Sequence, residues 1–210
     1  MMERWLIIFA LVFPWAANVH AESTTWEIDP GHSSALFSVR HLMVANVRGE
    51  LGKVTGVLQF DDKNPALSTV VATIDTSMIN TREPKRDAHL KSAEFFEVEK
   101  YPSITFKSKQ VTQDSSGKLK VTGDLTIKNA TREIVLWVDG PTAEVKDLWG
   151  NLRRGASATA RLNRKDFGLL YTKTLETGGV LVGDEVDVSI EVELLRKLVP
   201  SKTAFSPSKE

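Results

Sequence analysis

Histidines, carboxylates and one arginine are the residues of this chain best placed to do chemistry: His32, His41 and His89, with Asp29, Asp87 and Arg86. Metal binding would draw on the three histidines with Asp29 or Asp87, yet no His-x-x-x-His or comparable spacing supports it. Hydrolysis would need a Ser/His/Asp set. No Gly-x-Ser-x-Gly elbow occurs, and Ser33 beside His32 is adjacency in sequence only. The chain has no cysteine, which removes thiol nucleophiles, iron–sulfur clusters and thiolate zinc sites. What remains is hydrogen bonding to a polar group. The densest cluster for that is Arg86, Asp87 and His89, followed by Phe95, Phe96 and a Tyr101-Pro102 stop.

Those residues need elements to hold them. Trp5 to Trp15 is an apolar run broken only by Pro14. It is shorter than the roughly 20 residues that span a bilayer. Val19 and Ala21 are the small residues a signal peptidase reads, so residues 1–21 are expected to be a signal peptide cleaved after Ala21, with the mature protein in the periplasm. Residues 22–198 are expected to form one domain, and 199–210, rich in Ser and Pro without periodicity, a disordered tail. Acidic and basic residues balance at 27 each, so no basic excess argues for nucleic acid or an anionic membrane as a partner.

Period-two alternation runs through the domain. Ala35, Phe37 and Val39 share one face; Val54, Gly56, Leu58 and Phe60 repeat the pattern, with a strand at 47–53 continuous with it. Further runs are Val70/Ala72/Ile74, Ile104/Phe106, Leu119 to Ile127, Ile134/Leu136/Val138, Ala156 to Leu162 and Val186 to Leu194. About eight antiparallel strands result, able to close as a barrel or stack as a sandwich. Gly and Ala on the apolar faces (Gly56, Ala72, Gly123, Ala156, Ala158, Ala160) favour a barrel with space for a guest. The one polar insertion predicts a helix over Arg82–Lys91 with Asn80-Thr81 as its cap and an Asp87–Lys91 pair. It would either plug one end of the sheet or gate it.

Several segments resemble the YceI-like family of periplasmic polyisoprenoid-binding proteins. They are Trp26 to Ser33, Phe37 to Leu42, Arg86 to Ser92, Phe95-Phe96, Tyr101-Pro102, Gly123 to Ile127, Arg164 to Gly168 and Val182 to Val186, in family order across the mature chain. The resemblance implies an all-β fold, an extended eight-stranded antiparallel lipocalin-like barrel with a short helical insertion. It also implies binding of an isoprenoid quinone or polyprenyl lipid, with no catalytic activity established for the fold itself, so the chain is read as no enzyme and no cofactor is required. Four positions depart from the family pattern: Lys128-Asn129 replaces a common His-Gly, Met43 a usual Gly and Leu51 a common Phe. Such changes would narrow or re-tune the cavity.

On this reading an isoprenoid tail lies in a tube lined by Phe37, Val39, Leu58, Phe60, Ile74, Phe106 and Ala158. His41, Arg86, Asp87 and His89 bond its head at the mouth. The alternative is a periplasmic protein-interaction or stress-response module with a solid core; an apolar tunnel would count against it. Trp149, beside Arg153 and Arg154, is expected to pack over a barrel end with its arginines solvated, or to make transient contact with a membrane surface. Residues 172–179 read as a mobile hairpin near an opening, and an exposed sheet edge would permit a homodimer.

Overall fold

In the computed structural model, which describes residues 23–176 and 178–197, the alternating runs become eleven antiparallel strands. The segments expected to be a signal peptide and a disordered tail lie outside the described residues. The strands are β1 (Thr24–Ile28), β2 (Ser34–His41), β3 (Ala45–Glu50), β4 (Lys53–Phe60), β5 (Thr69–Asp75) and β6 (Ser103–Gln113). After them come β7 (Leu119–Ile127), β8 (Ala130–Asp139), β9 (Val145–Lys146), β10 (Leu152–Asn163) and β11 (Val182–Arg196). One helix, α1 (Pro84–Lys91), interrupts them between β5 and β6.

Eight strands close a ring in the order β11, β1, β4, β5, β6, β7, β8, β10 and back to β11. The fold is thus an eight-stranded antiparallel barrel with peripheral strands and a short helical insertion. The ring is not made of the eight runs read from the sequence, because it takes in β1 and leaves β2 outside. Length explains the exchange. At about 3.3 Å per residue, a five-residue strand cannot cover the fifteen residues of β11. One edge of β11 is therefore shared: Leu194 and Leu195 pair with β1, while Val182 to Glu191 pair with β2. The Asp29 N–H, donating to the Glu193 carbonyl at 2.8 Å, bridges the two.

Two further expectations are corrected. β3 and β4 are not continuous, because the chain turns at Leu51-Gly52. Gly52 sits at φ 133, where a Cβ would lie 2.0 Å from the Asp75 carbonyl oxygen, so no other residue fits. The helix begins at Pro84, two residues later than Arg82, with the Glu83 carboxylate accepting from the Lys85 N–H. Arg82 is excluded by its positive φ of 64. Asp87 makes no ion pair with Lys91 among the described residues; its Oδ1 turns back to accept from Thr81 N at 2.7 Å and Thr81 Oγ1 at 2.5 Å.

The lower end of the barrel carries the β4–β5, β6–β7 and β8–β10 connections. A stack fills it: the guanidinium of Arg196 lies 4.8 Å from the centre of the fully buried Trp26 ring, and Arg154 covers both Trp26 and Phe60. The upper end carries the β2–β3 turn, the α1 segment, the β7–β8 turn and the β10–β11 connection. There the outer edge of β3 meets the rest of the barrel through Glu50 and Asn80, which exchange two backbone hydrogen bonds.

Candidate functional site

The inward faces of the strands do not meet at the barrel axis. They leave two apolar cavities, one above the other. The lower, of about 180 Å³, is walled by Leu58, Phe60, Ala72, Ile74, Phe106, Ala156 and Ala158 among others. The upper, of about 230 Å³, is walled by Phe37, Val39, Phe95, Phe96, Phe167 and Tyr171, with His41, Arg86, His89 and Arg164 contributing polar groups. Leu51, Ile104, Ile127, Leu162 and Val188 belong to both walls and form a waist between the two spaces.

Alanine, not glycine, opens this space. Ala72, Ala156, Ala158 and Ala160 line the lower cavity. Gly123, read from the sequence as a source of room, is already filled: a Cβ there would stand 2.6 Å from the Phe106 ring. Gly56 is likewise closed by the Val71 carbonyl oxygen, 2.3 Å from where its Cβ would be.

Of the residues singled out from the sequence, Leu58, Phe60, Ile74, Phe106 and Ala158 stand on the lower wall, and Phe37, Val39, His41, Arg86 and His89 on the upper. Asp87 lines neither cavity, being committed to Thr81. Arg86 is half committed to the same residue, donating from Nε to Thr81 Oγ1 at 2.8 Å and from Nη2 to the Thr81 carbonyl at 2.9 Å. His89 packs edge-on against Phe95 and Tyr171, with ring centres 5.0 and 4.7 Å away, and its Nε2 meets Glu94 Oε2. Sequence reasoning placed Arg164 and Phe167 only in a family segment, not at the site, and did not mark Leu169 or Tyr171. They lie on a short turn of 3-10 helix and the coil after it, where no period marks one face. Buried Arg164 donates to the carbonyls of Gly183, Leu169 and Val182, and burial pushes its pKa down.

The three histidines do not converge. His41 ends β2 and His89 sits on α1, while His32 lies in the β1–β2 turn with Asp29 and Glu193, the group closest to a metal-ligand arrangement among the described residues. That group already holds a cation, because Arg153 binds Asp29 at 2.7 Å, Asp147 at 2.9 Å and also Glu193. The Arg153 guanidinium, helped by the Gly31 N–H and His32, lowers the Asp29 pKa to about 2. Burial raises that of Asp147, but Arg153, Asn151 and two backbone N–H donors outweigh it and bring it to about 2 as well. Ser33 faces away from any such chemistry, its Oγ accepting from the Glu193 N–H at 3.0 Å.

The expectation that Trp149 packs over a barrel end with its arginines solvated is reversed. Leu148 and Trp149 are 96 % and 79 % exposed, whereas Arg153 and Arg154 are folded into ion pairs with Asp29, Asp147, Glu193, Asp62 and Glu144. Neutralising carboxylates draw the arginines inward and leave the tryptophan at the loop tip.

A barrel of this strand order with apolar cavities inside matches known proteins over most of its length. The family profile described as the YceI-like domain covers residues 26–194. The chain belongs to the YceI-like family. It is 35% identical over 170 residues to a UPF0312 protein of Staphylococcus aureus, covering 81% of this chain and 96% of that one. The crystal structure of the YceI protein of Campylobacter jejuni superposes with a TM-score of 0.63 at 31% identity, over 75% of this chain and 90% of that one. A Saccharophagus degradans domain described as polyisoprenoid-binding shares the YceI-like fold, with a TM-score of 0.58 at 14% identity, covering 82% and 98% of the two chains.

Proposed function

We propose that this YceI-like protein binds and carries an isoprenoid amphiphile, a quinone or polyprenyl lipid, in the periplasm and without catalysis. One observation carries the reading: two stacked apolar cavities share a waist, and arginine, histidine and tyrosine side chains line only the upper one. Each space alone is below the roughly 300 Å³ of an ordinary ligand pocket. A ligand that fills both must therefore be slender enough to pass the waist and apolar along its length. Ten buried tail carbons would contribute roughly 8 kcal/mol before the cost of association. His41, Arg86 and Tyr171 are the groups offered to a polar head at the upper end. The fold shared with the Saccharophagus degradans domain supports the ligand class, and the cavities count against an interaction module with a solid core.

Native mass spectrometry of the processed protein purified after export tests this directly, followed by organic extraction of what it carries. The expected result is a stoichiometric isoprenoid species that survives washing. A protein that emerges empty and takes up no isoprenoid quinone from detergent would overturn the proposal.

A further inference from the structure

The turn joining β2 to β3 breaks a local rule. His41 to Val44 closes as a β-turn in which the Val44 N–H donates to the His41 carbonyl at 3.1 Å. Its two central residues, Leu42 and Met43, are both left-handed, at φ 51 and 61. Such a turn ordinarily carries Asn-Gly or Asp-Gly, because a bulky L-residue crowds its own backbone there. Here it holds two long apolar side chains, and a third follows. Among the described residues they are only partly covered: Leu42, Met43 and Val44 are 38 %, 50 % and 74 % exposed, with Met43 Cγ 3.7 Å from where a Cβ on Gly179 would sit. A backbone conformation that costs stability thus presents three apolar side chains to solvent. Departures of this kind concentrate where function holds them.

The turn stands at the upper mouth. His41 lines the upper cavity, and the Leu42 N–H donates at 2.9 Å to the carbonyl of Leu181, another wall residue. Across the mouth Leu170, 63 % exposed, lies between the wall residues Leu169 and Tyr171. From Ser34 to Gly49 the hairpin contains no acidic residue and carries Arg40 and Arg48. On the facing part of β11, Asp184 is paired with Arg164 and Lys165, and Glu185 and Asp187 with Arg161, while Glu191 lies at the end away from the tip, opposite Ser34. An apolar tip flanked by cations suits the surface of a bilayer containing anionic lipid.

We propose that the β2–β3 turn, with Leu170, docks the upper mouth of the barrel onto a lipid surface, so that the amphiphile passes between bilayer and cavity without crossing water. The passage rests on the ligand reading above; the docking does not. The other exposed apolar tip, Leu148-Trp149, is at the opposite end and obeys ordinary turn chemistry. Gly150 takes its positive φ, and the Asp147 carboxylate accepts from the N–H groups of Trp149 and Asn151.

Flotation of the processed chain, its cleaved N-terminus verified by mass, with vesicles of phosphatidylethanolamine and phosphatidylglycerol provides the test. The double variant Leu42→Asn with Met43→Gly supplies the residues the turn favours, so it should melt at or above the wild-type temperature while partitioning falls roughly tenfold. Trp149→Ser should float like wild type, and both variants should take up isoprenoid quinone from detergent as wild type does. Three results would overturn the proposal: wild type that does not float, a double variant that floats unchanged, or loss of flotation on Trp149→Ser. Loss of detergent-delivered uptake in the double variant would also overturn it, by making the turn part of the cavity. Failure of every protein to take up quinone, with flotation as expected, would instead remove the ligand reading and leave the docking standing.

Discussion

Ala158 shows how much of the cavity depends on one short side chain. It lies on the lower wall, paired across the sheet with Ile190 and Val138, and a larger residue would project into the space between the strands. Ala158→Phe is expected to leave the melting temperature within a few degrees of wild type while reducing isoprenoid uptake, measured by quenching of intrinsic tryptophan fluorescence, by roughly tenfold or more. Equal uptake by the variant would place the ligand elsewhere. Phe106 works in the opposite sense. Its ring fills the position that Gly123 leaves bare, so this glycine is a packing partner and not a void. The alternation of β6 and β7 in the sequence shows that both residues face inward. Which of them fills and which yields depends on their register, with Phe106 opposite Leu125 and Gly123 one step away beside Ser108.

Among the elements, the α1 segment does the least expected work. Its Arg86, Asp87 and His89 read from the sequence as a ring of head-group ligands. In the fold, Arg86 and Asp87 converge on buried Thr81, beside the bridge between Asn80 and Glu50 on the outer edge of β3. Thr81 also packs where a Cβ on Gly49 would sit, 2.6 Å from its methyl group. The cluster is first a clasp across the seam of the upper barrel. Thr81→Val keeps the shape and removes the hydroxyl from Asp87 and Arg86, and should cost about 1–3 kcal/mol in urea unfolding. No change would mean that the seam is held without the clasp. Sequence showed that the insertion is polar, helical and stopped at Tyr101-Pro102. The target of its charges was not legible, because Thr81 lies six residues before Asp87, outside the i, i+4 spacing that predicted a partner in Lys91.

Across the whole molecule, a single arginine ties the lower end together. Arg153 on β10 reaches Asp29 after β1, Asp147 after β9 and Glu193 on β11. Both aspartates are held near a pKa of about 2, below the roughly 3.9 of an unfolded aspartate. Between these values the unfolded chain binds more protons than the folded one. This contribution to stability is therefore complete above about pH 4 and is lost as pH falls toward 2. Thermal melts across that window should show the wild type losing stability on acidification. Arg153→Met should be less stable at pH 7 and show a flatter fall, since its aspartates would titrate closer to their unfolded values. Parallel curves for the two proteins would contradict the assignment.

The sequence by itself determined most of the longer strands, the faces they turn inward, the polar insertion and the balance of charge. These are local properties, set by alternation, turn residues and composition within a few positions. Only the tertiary structure decided that β1 replaces β2 in the ring, that alanines and not glycines open the interior, and that Arg153 and Arg154 are tied down while Trp149 is exposed. Each of these depends on a partner far along the chain: Asp29 is 124 residues from Arg153, and the short β1 leaves most of one edge of β11 to β2. A strand's own residues specify which face is apolar. The length of its neighbours and the charges across the barrel specify what that face, and the loops at its ends, will meet.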